Sequence, residues 1–144
     1  MMKVFLDSSV LVASCGSKTG ASAFVLGYCR KKKIQGLVSV EAVGEAKKNV
    51  LLKFGLIEKK RLGYLLKFSE LVLVSPPTVE EIKECEKVIN RKDAPISAAS
   101  LKNRADFLLT LDKKHFFDPK VLKFSSELKI ITPGDFVIKY LKRV

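Results

Sequence analysis

The stretch DAPISAASLKNRADFLLTLDKKHF, residues 93–116, gives the clearest indication of the fold class. Asp93 stands where a helix cap is expected, and Pro95 falls in the first helical turn, where its missing N–H does no harm. The segment 107–111 (FLLTL) is then almost wholly apolar and runs directly into Asp112. A strand of this kind is typical of a parallel sheet that helices cover on both faces. The stretch therefore predicts an α/β domain.

Strand and helix signals alternate along the rest of the chain. Short apolar runs predict further strands at 4–6, 37–38, 71–74 and 129–131. Amphipathic segments and their caps predict helices at 21–33, 40–54, 58–69 and 78–90, and a C-terminal helix that opens at 132–135 and ends in LKRV. We therefore expect a three-layer α/β/α sandwich with a central, mostly parallel sheet of about four to five strands.

Several residues are expected to mark the ends of these elements. Ser39 is expected to cap the second helix, and Thr78 with Glu81 three residues later forms a capping-box signature for the fourth. Gly36 is expected to close the first helix and Gly55 the second, because glycine tolerates the left-handed backbone at helix ends.

The composition is that of an ordinary folded protein. The chain has 144 residues, 47% hydrophobic and 29% charged, which suits a single domain over residues 1–144 and excludes disordered and collagen-like classes. No stretch reaches the ~18 apolar residues needed to span a bilayer, so we expect a cytoplasmic protein with no membrane partner. Cys15, Cys29 and Cys85 form no CxxC pair, which indicates buried thiols instead of a zinc finger.

The chain is also strongly basic. Its 27 Lys and Arg against 15 Asp and Glu give a formal charge of +12. Cationic side chains that neutralise phosphates release condensed counterions, so the charge favours a polyanionic partner. Basic enzymes and membrane-surface proteins share this feature, and charge alone does not choose between them.

Acidic residues stand at the predicted edge of the sheet where ligands bind. Asp7 follows the first strand, in the polar turn formed by Asp7, Ser8 and Ser9, and Asp112 follows the strand at 107–111. Ligands of open parallel sheets bind outside the carboxyl ends of the strands. Asp93 begins a helix, where backbone N–H groups are expected to hold its carboxylate in a fixed orientation.

Two glutamates on the second predicted helix are candidates for a fourth acid. Glu41 and Glu45 lie four residues apart on one helix face, and their spacing leaves both open. Four converging carboxylates would repel by roughly 4 kcal/mol for each pair at about 4 Å, so they require a cation. Oxygen donors, including the hydroxyls of Ser8, Ser9 and Thr110, favour Mg²⁺ or Mn²⁺ over zinc. Such an ion suits in-line displacement at a phosphate.

Other sequence features weigh against rival functions. A phosphoaspartyl hydrolase needs a second aspartate where Ser9 stands, and adhesion-type metal sites need a serine where Leu11 stands. The segment GSKTGAS at 16–22 lacks the order of a phosphate-binding loop. The only histidine, His115, is expected to be a surface residue.

Four segments together resemble a known family. They are VFLDSSVLVAS, VSVEAVGEAKKNVL, the stretch at 93–116 and IITPGDFVIKYL. The third is the most specific, because D-A-x-I-x-A-A followed by A-D-x-L-L-T-x-D is hard to obtain by chance. In this order the chain resembles the PIN-domain ribonucleases, of the VapC toxin type and its uncharacterised archaeal and bacterial relatives.

The resemblance implies four catalytic, metal-binding acids, which in this sequence are Asp7, Glu45, Asp93 and Asp112. Glu45 lies six residues after Ser39, as the family's glutamate does, and is therefore favoured over Glu41. Thr110 matches the family's active-site hydroxyl. Ser9 stands where many members carry asparagine and still offers an oxygen, so both residues are expected to support the site.

The implied function is a metal-dependent endoribonuclease, selective for single-stranded RNA and using Mg²⁺ or Mn²⁺. Many relatives are homodimers, and many are held inactive by an antitoxin protein. Lys48, Lys113 and Lys114 are the candidate contacts to the RNA backbone. The alternative is a non-catalytic RNA-binding module in an RNA-processing or toxin–antitoxin complex. Four retained acids argue against it, because a pure binder has no reason to hold repelling carboxylates together.

Overall fold

A five-stranded sheet forms the centre of the molecule, in a computed structural model that describes residues 1–141. The strands are β1 Lys3–Leu6, β2 Gln35–Val38, β3 Val72–Leu73, β4 Phe107–Leu109 and β5 Lys129–Ile131. Their order is β3-β2-β1-β4-β5, and all neighbouring pairs are parallel. Phe5 on the central strand is in register with Leu37 on one side and Leu108 on the other. These findings confirm the predicted α/β class and its parallel sheet.

Within residues 1–141, eight α-helices connect and flank the strands. They are α1 Ser8–Gly16, α2 Ala21–Arg30, α3 Val40–Lys53, α4 Leu56–Phe68, α5 Val79–Glu86, α6 Ala94–Lys102, α7 Pro119–Phe124 and α8 Pro133–Phe136. A π-helical turn, Val137–Leu141, follows the last helix. The final three residues of the predicted C-terminal helix, 142–144, lie outside the described residues.

The sheet has an apolar core on each face. Val4 and Leu6 join a core built largely from α1, α2 and α3, with one buried residue each from α4 and α8. Phe5, between them in sequence, joins a second core with residues of α5, α6 and α7. Because successive side chains of a strand point to opposite faces, a strand without polar residues must be covered on both. This is the layered arrangement that the apolar strands predict.

The cap residues act largely as their positions predict. The Ser39 hydroxyl accepts a hydrogen bond from the Ala42 N–H, and Thr78 and Glu81 form the reciprocal capping box. Gly55 follows α3 with a φ of 113°, a left-handed value that glycine adopts without strain. Asp118 caps α7 by accepting a hydrogen bond from the Lys120 N–H, and Pro119 opens this short helix.

Helix α1 replaces the turn expected after the first strand. The helix begins at Ser8, and Asp7 is its N-cap residue. Its apolar residues include Val10 and Leu11, which are fully buried. A short helix that is apolar on most sides shows no clear 3.6-residue period, so its sequence does not separate it from a strand or a loop.

Gly36 does not close a helix as expected, because α2 ends at Arg30 and Gly36 lies within β2. A Cβ atom at this position would lie 2.5 Å from Leu71 Cδ2 and 2.7 Å from Cys29 Sγ. Glycine is therefore required by close packing on this strand and not by a helix end.

The three cysteines are free and buried, as predicted. Burial raises the pKa of the Cys29 thiol to about 12, which keeps it protonated and unreactive at neutral pH. Over residues 1–141 no single helix has the length and apolar character to cross a bilayer, although α1 and α2 meet the criterion jointly across a bend of 102°.

Substituting Gly36 tests the packing explanation. Gly36→Ala is expected to lower the free energy of unfolding by about 1–3 kcal/mol, because the buried Cys29 and the half-buried Leu71 side chains must shift. The matched control is Gly63→Ala on α4, where a Cβ meets nothing within 4 Å and is expected to raise stability by about 0.5–1 kcal/mol. Urea denaturation measures both changes. An unchanged midpoint for Gly36→Ala would show that the close approach is not a constraint.

Candidate active site

The candidate site lies beside the central strand β1, where the sheet changes its direction of growth. Strands β2 and β3 extend to one side of β1, and strands β4 and β5 extend to the other side. Such a reversal leaves a crevice at the carboxyl ends of the two strands. Asp7 follows β1 and Thr110 follows β4, and the Asp7 N–H continues the ladder by donating to the Leu109 carbonyl at 3.1 Å. Parallel pairing therefore brings residues from distant parts of the sequence to one edge.

Two hydroxyls hold the buried carboxylate of Asp7. The residue is 4% exposed, and its Oδ2 accepts hydrogen bonds of 2.8 Å from both Ser9 Oγ and Thr110 Oγ1. The same two hydroxyls accept the N–H groups of Leu111 and Asp112, each at 3.0 Å. Ser9 and Thr110 thus connect Asp7 to the loop that carries Asp112.

The environment of Asp7 favours its protonated form. Burial raises the pKa of this carboxyl above its ordinary value, and the hydrogen bonds from Thr110 and Ser9 only partly oppose the effect. The nearby charge of Asp93 raises the pKa further. The ionised form of Asp7 is therefore destabilised unless a cation is close.

Asp93 occupies the N-cap position of α6 but its side chain does not cap the helix, which corrects the expected orientation. Its backbone has φ −94° and ψ −14°, a helical conformation and not the extended one of a typical N-cap. Asn90 Nδ2 instead donates to Asp93 Oδ2 at 2.7 Å, and Asn90 Oδ1 accepts the Asp93 N–H at 3.0 Å. The Asp93 carboxylate is thus available to the crevice.

Asp112 is held by His115, three residues later. The His115 N–H donates to Asp112 Oδ1 at 3.1 Å, and His115 Nδ1 lies 2.8 Å from Asp112 Oδ2. Burial raises the pKa of Asp112, but the side-chain and backbone hydrogen bonds of His115 outweigh it, so the pKa is lowered overall. Because its folded-state pKa is lowered, Asp112 stabilises the fold when ionised and loses that contribution as the pH falls through this pKa.

His115 is partly exposed at the surface, and it also contacts two of the acids. Its Nδ1 also lies 3.6 Å from Asp93 Oδ2, so one imidazole faces carboxylates from two separate segments. The side chain is 42% exposed and lines the same cavity as the acids. The spacing D-x-x-H from Asp112 to His115, directly after a strand, is the sequence signal that could have found it.

The structure distinguishes between the two candidate glutamates of α3. Glu45 lines the cavity, and its Oε1 lies 3.8 Å from Lys92 Nζ. Glu41 is exposed at the start of the helix and does not line the cavity. This geometry favours Glu45, the residue that the family pattern favours.

One cavity of about 750 Å³ brings these side chains together. All four predicted acids line it, together with Ser9 and His115; the further lining residues are Ser8, Val12, Ala13, Asn49, Leu52, Lys53, Asn90, Lys92 and Leu111. Thr110 is fully buried and contacts Asp7 from outside the lining. The acids come from the residue after β1, from α3, from the start of α6 and from the loop after β4.

The donors in this cavity suit a divalent cation. Asp93, Asp112 and His115 each offer one ligand atom, and these atoms lie within 4.8 Å of one another. Carboxylate oxygens are ligands for hard divalent ions, and an imidazole nitrogen extends the set toward transition metals. The residues present therefore fit the kind of ion that the sequence predicts.

The lysines predicted to contact a substrate lie elsewhere. Lys48, Lys113 and Lys114 are exposed and do not line the cavity. Lys53 and Lys92 are the basic residues of its lining. The sequence did not indicate these two, because their approach to the cavity depends on how α3 and the segment before α6 pack.

A substitution at Asp7 tests the electrostatic description. Asp7→Asn is expected to raise the Tm at pH 7 in buffer containing EDTA, because the amide keeps an acceptor for Ser9 and Thr110 without the buried charge. The raised pKa means that the folded state holds its proton to higher pH than the unfolded state. The wild type therefore loses stability as the pH rises above about 3.8, and the advantage of the variant shrinks as the pH returns there.

Differential scanning calorimetry from pH 4 to 7 measures this difference. Glu84→Gln, which removes an exposed carboxylate on α5, is the matched control and should show no comparable gain. A lower Tm for Asp7→Asn at pH 7 in EDTA would contradict the description.

Known structures share this architecture at low sequence identity. VapBC2 from Rickettsia felis, bound to a DNA fragment from its promoter, has a TM-score of 0.67 and 18% identity over 90% of this chain and 97% of that one. PAE2754 from Pyrobaculum aerophilum has a TM-score of 0.63 and 13% identity over 98% and 96%. The sarcin-ricin loop cleaving toxin VapC20 from Mycobacterium tuberculosis has a TM-score of 0.59 and 16% identity over 77% and 91%.

These likenesses establish the fold. No curated protein matches the sequence significantly. A family model described as the PIN domain matches residues 3–114. This range contains all four acids, the hydroxyls of Ser9 and Thr110, and the strands β1 to β4. The chain therefore belongs to the PIN-domain family.

Proposed function

We propose that this protein is a metal-dependent endoribonuclease that hydrolyses phosphodiester bonds of single-stranded RNA. The observation that carries the proposal is the meeting of Asp7, Glu45, Asp93 and Asp112 in one cavity of a chain with a net charge of +12. Carboxylates that repel one another stay ionised together only when a cation is close, and a basic body attracts a polyanion. Membership of the PIN-domain family supports a nuclease.

The four acids and two hydroxyls each have a role in this proposal. Asp93 and Asp112 would hold Mg²⁺ or Mn²⁺, with Glu45 and Asp7 adding negative charge around it. The ion, when bound, supplies Lewis-acid activation of water and stabilises charge on the phosphate. Ser9 and Thr110 orient Asp7 by hydrogen bonds to Oδ2, which leaves Oδ1 to accept a proton or contact the ion.

Basic residues around the cavity would position the RNA backbone. Lys53 and Lys92 line the cavity, and we propose them as the nearest contacts to phosphate. Lys48, Lys113 and Lys114 are exposed outside it and would extend the basic surface to flanking nucleotides. Phosphate contacts of this kind supply affinity without sequence selection.

The proposal extends to the cellular setting of a toxin. Among the structural neighbours, VapBC2 is bound to DNA from its promoter and VapC20 is a toxin, and on that likeness we propose an antitoxin partner and a homodimer in the cytoplasm. The α3–α4 corner supports a protein partner, because Leu52, Leu56 and Ile57 are 75%, 58% and 78% exposed there. We further propose that residues 1–144 act as one domain.

Cleavage of RNA tests the enzymatic proposal. Wild-type protein with Mg²⁺ or Mn²⁺ is expected to cut single-stranded RNA faster than structured RNA. Asp112→Asn should slow cleavage by at least about 100-fold, because charge stabilisation by an ion contributes several kcal/mol. RNA binding, measured by fluorescence anisotropy, should be kept or strengthened because a negative charge is lost.

Glu84→Gln is again the control, since it also removes one carboxylate but lies outside the cavity. Undiminished cleavage by Asp112→Asn would refute the role of that residue. Tight RNA binding without cleavage by the wild type would favour the alternative, a non-catalytic RNA-binding module.

Metal binding gives an independent test. Addition of Mg²⁺ or Mn²⁺ to EDTA-treated protein should raise its Tm, because an ion that binds only the folded state stabilises it by about 2.7 kcal/mol at 100 times its Kd. Asp112→Asn should lose most of this increase, whereas Glu84→Gln should keep it. The absence of any shift at millimolar ion would remove the metal site from the proposal.

A further inference from the structure

We propose that Nδ1 of His115 is a direct ligand of the divalent ion, and that it makes the site prefer Mn²⁺ and later transition-metal ions to Mg²⁺. The inference rests on the proposed function, because it concerns the same cavity. It goes beyond a site made only of oxygen donors by adding a nitrogen donor that the four acids do not require.

The position of the ring is the first observation. His115 Nδ1 lies 2.8 Å from Asp112 Oδ2 and 3.6 Å from Asp93 Oδ2. Two ligands that each lie about 2.1 Å from one ion can be at most about 4.2 Å apart. Both distances fall below this limit. The imidazole nitrogen therefore already lies at ligand spacing from each of the two carboxylates, and all three atoms lie within 4.8 Å of one another.

The ring is positioned by the backbone and not by core packing. The His115 N–H donates to Asp112 Oδ1 at 3.1 Å, which closes a turn between the two residues. Phe116, the next residue, is fully buried and anchors the chain on the sheet. The His115 side chain itself remains 42% exposed. Its place beside the carboxylates is thus determined locally, and core packing does not explain why an imidazole is present.

The charges around the ring favour an ion at this point. Asp93 and Asp112 come from different elements, and a single N–H can donate to only one of them well. The Asp93 carboxylate, at 3.6 Å from the ring, then has only the neutral Asn90 amide as a partner for its Oδ2, at 2.7 Å. A divalent ion bound by Nδ1 and both carboxylates satisfies all three groups.

Ligand chemistry then predicts the preference. Mg²⁺ selects oxygen ligands and gives up its bound water molecules reluctantly. Imidazole nitrogen binds manganese and the later transition metals more readily than it binds Mg²⁺. Loss of the nitrogen should therefore weaken binding of Mn²⁺ and Co²⁺ much more than binding of Mg²⁺. A histidine that only oriented Asp112 would affect all three ions equally.

The chain offers an unambiguous spectroscopic test, because His115 is its only histidine. In full-length protein without a histidine tag, loaded with Mn²⁺, electron spin echo modulation should show one coupled imidazole nitrogen. His115→Gln should abolish that signal. Since the side chain is substantially exposed, the substitution should leave the fold intact, and circular dichroism provides that control.

Isothermal titration calorimetry at pH 8 measures the preference. We expect His115→Gln to weaken Mn²⁺ and Co²⁺ binding by about tenfold or more and Mg²⁺ binding by less than about threefold. The exposed Lys114→Gln, next to His115, is the matched control and should leave the ratio of the Mn²⁺ and Mg²⁺ constants unchanged.

The outcomes separate the two proposals. Metal binding by the wild type without nitrogen coupling, or equal losses for the three ions in His115→Gln, would overturn the role of His115 and leave the nuclease proposal standing. A wild type that binds none of the ions would overturn both.

Discussion

The burial of one carboxylate at the end of the central strand is the constraint on which the rest of the site depends. Asp7 is 4% exposed, and an unpartnered charge in that position would cost several kcal/mol. Two hydroxyls reduce this cost by donating to Oδ2, and the same hydroxyls accept N–H groups from the loop after β4. The demand of Asp7 for hydrogen bonds therefore fixes the loop that carries Asp112.

A second constraint is the mutual repulsion of the acids. Each of the three site acids other than Asp7 has a partner that orients it or partly neutralises its charge. The partner is Asn90 for Asp93, His115 for Asp112 and Lys92 for Glu45. These partners differ in strength, since the exposed Lys92 at 3.8 Å contributes little. Asp7 is left with neutral donors and a raised pKa. The site is thus arranged as a set of oriented carboxylates whose charge is incompletely balanced, which is the condition under which a cation binds well.

The fold could be predicted wherever the sequence pattern and the local chemistry agree. The apolar strands, the Ser39 cap and the Thr78–Glu81 capping box all have local causes and occur as predicted. Helix α1 and Gly36 could not be predicted in the same way. Helix α1 is apolar on most sides, so its sequence shows no helical periodicity. Gly36 is required by its close contacts with Cys29 on α2 and with Leu71, which is distant in sequence.

The same division applies to the site. Residue types and their positions after apolar strands indicate the acids, because ligands gather at the carboxyl ends of parallel strands whatever the details of the fold. The orientation of Asp93, the choice of Glu45 over Glu41, the place of His115 and the lysines of the cavity follow from backbone angles and from contacts between segments far apart in the chain. Local pattern specifies which groups are available. Distances of a few ångströms between these groups arise only when the strands and helices pack together, and those distances determine which groups can share one ion.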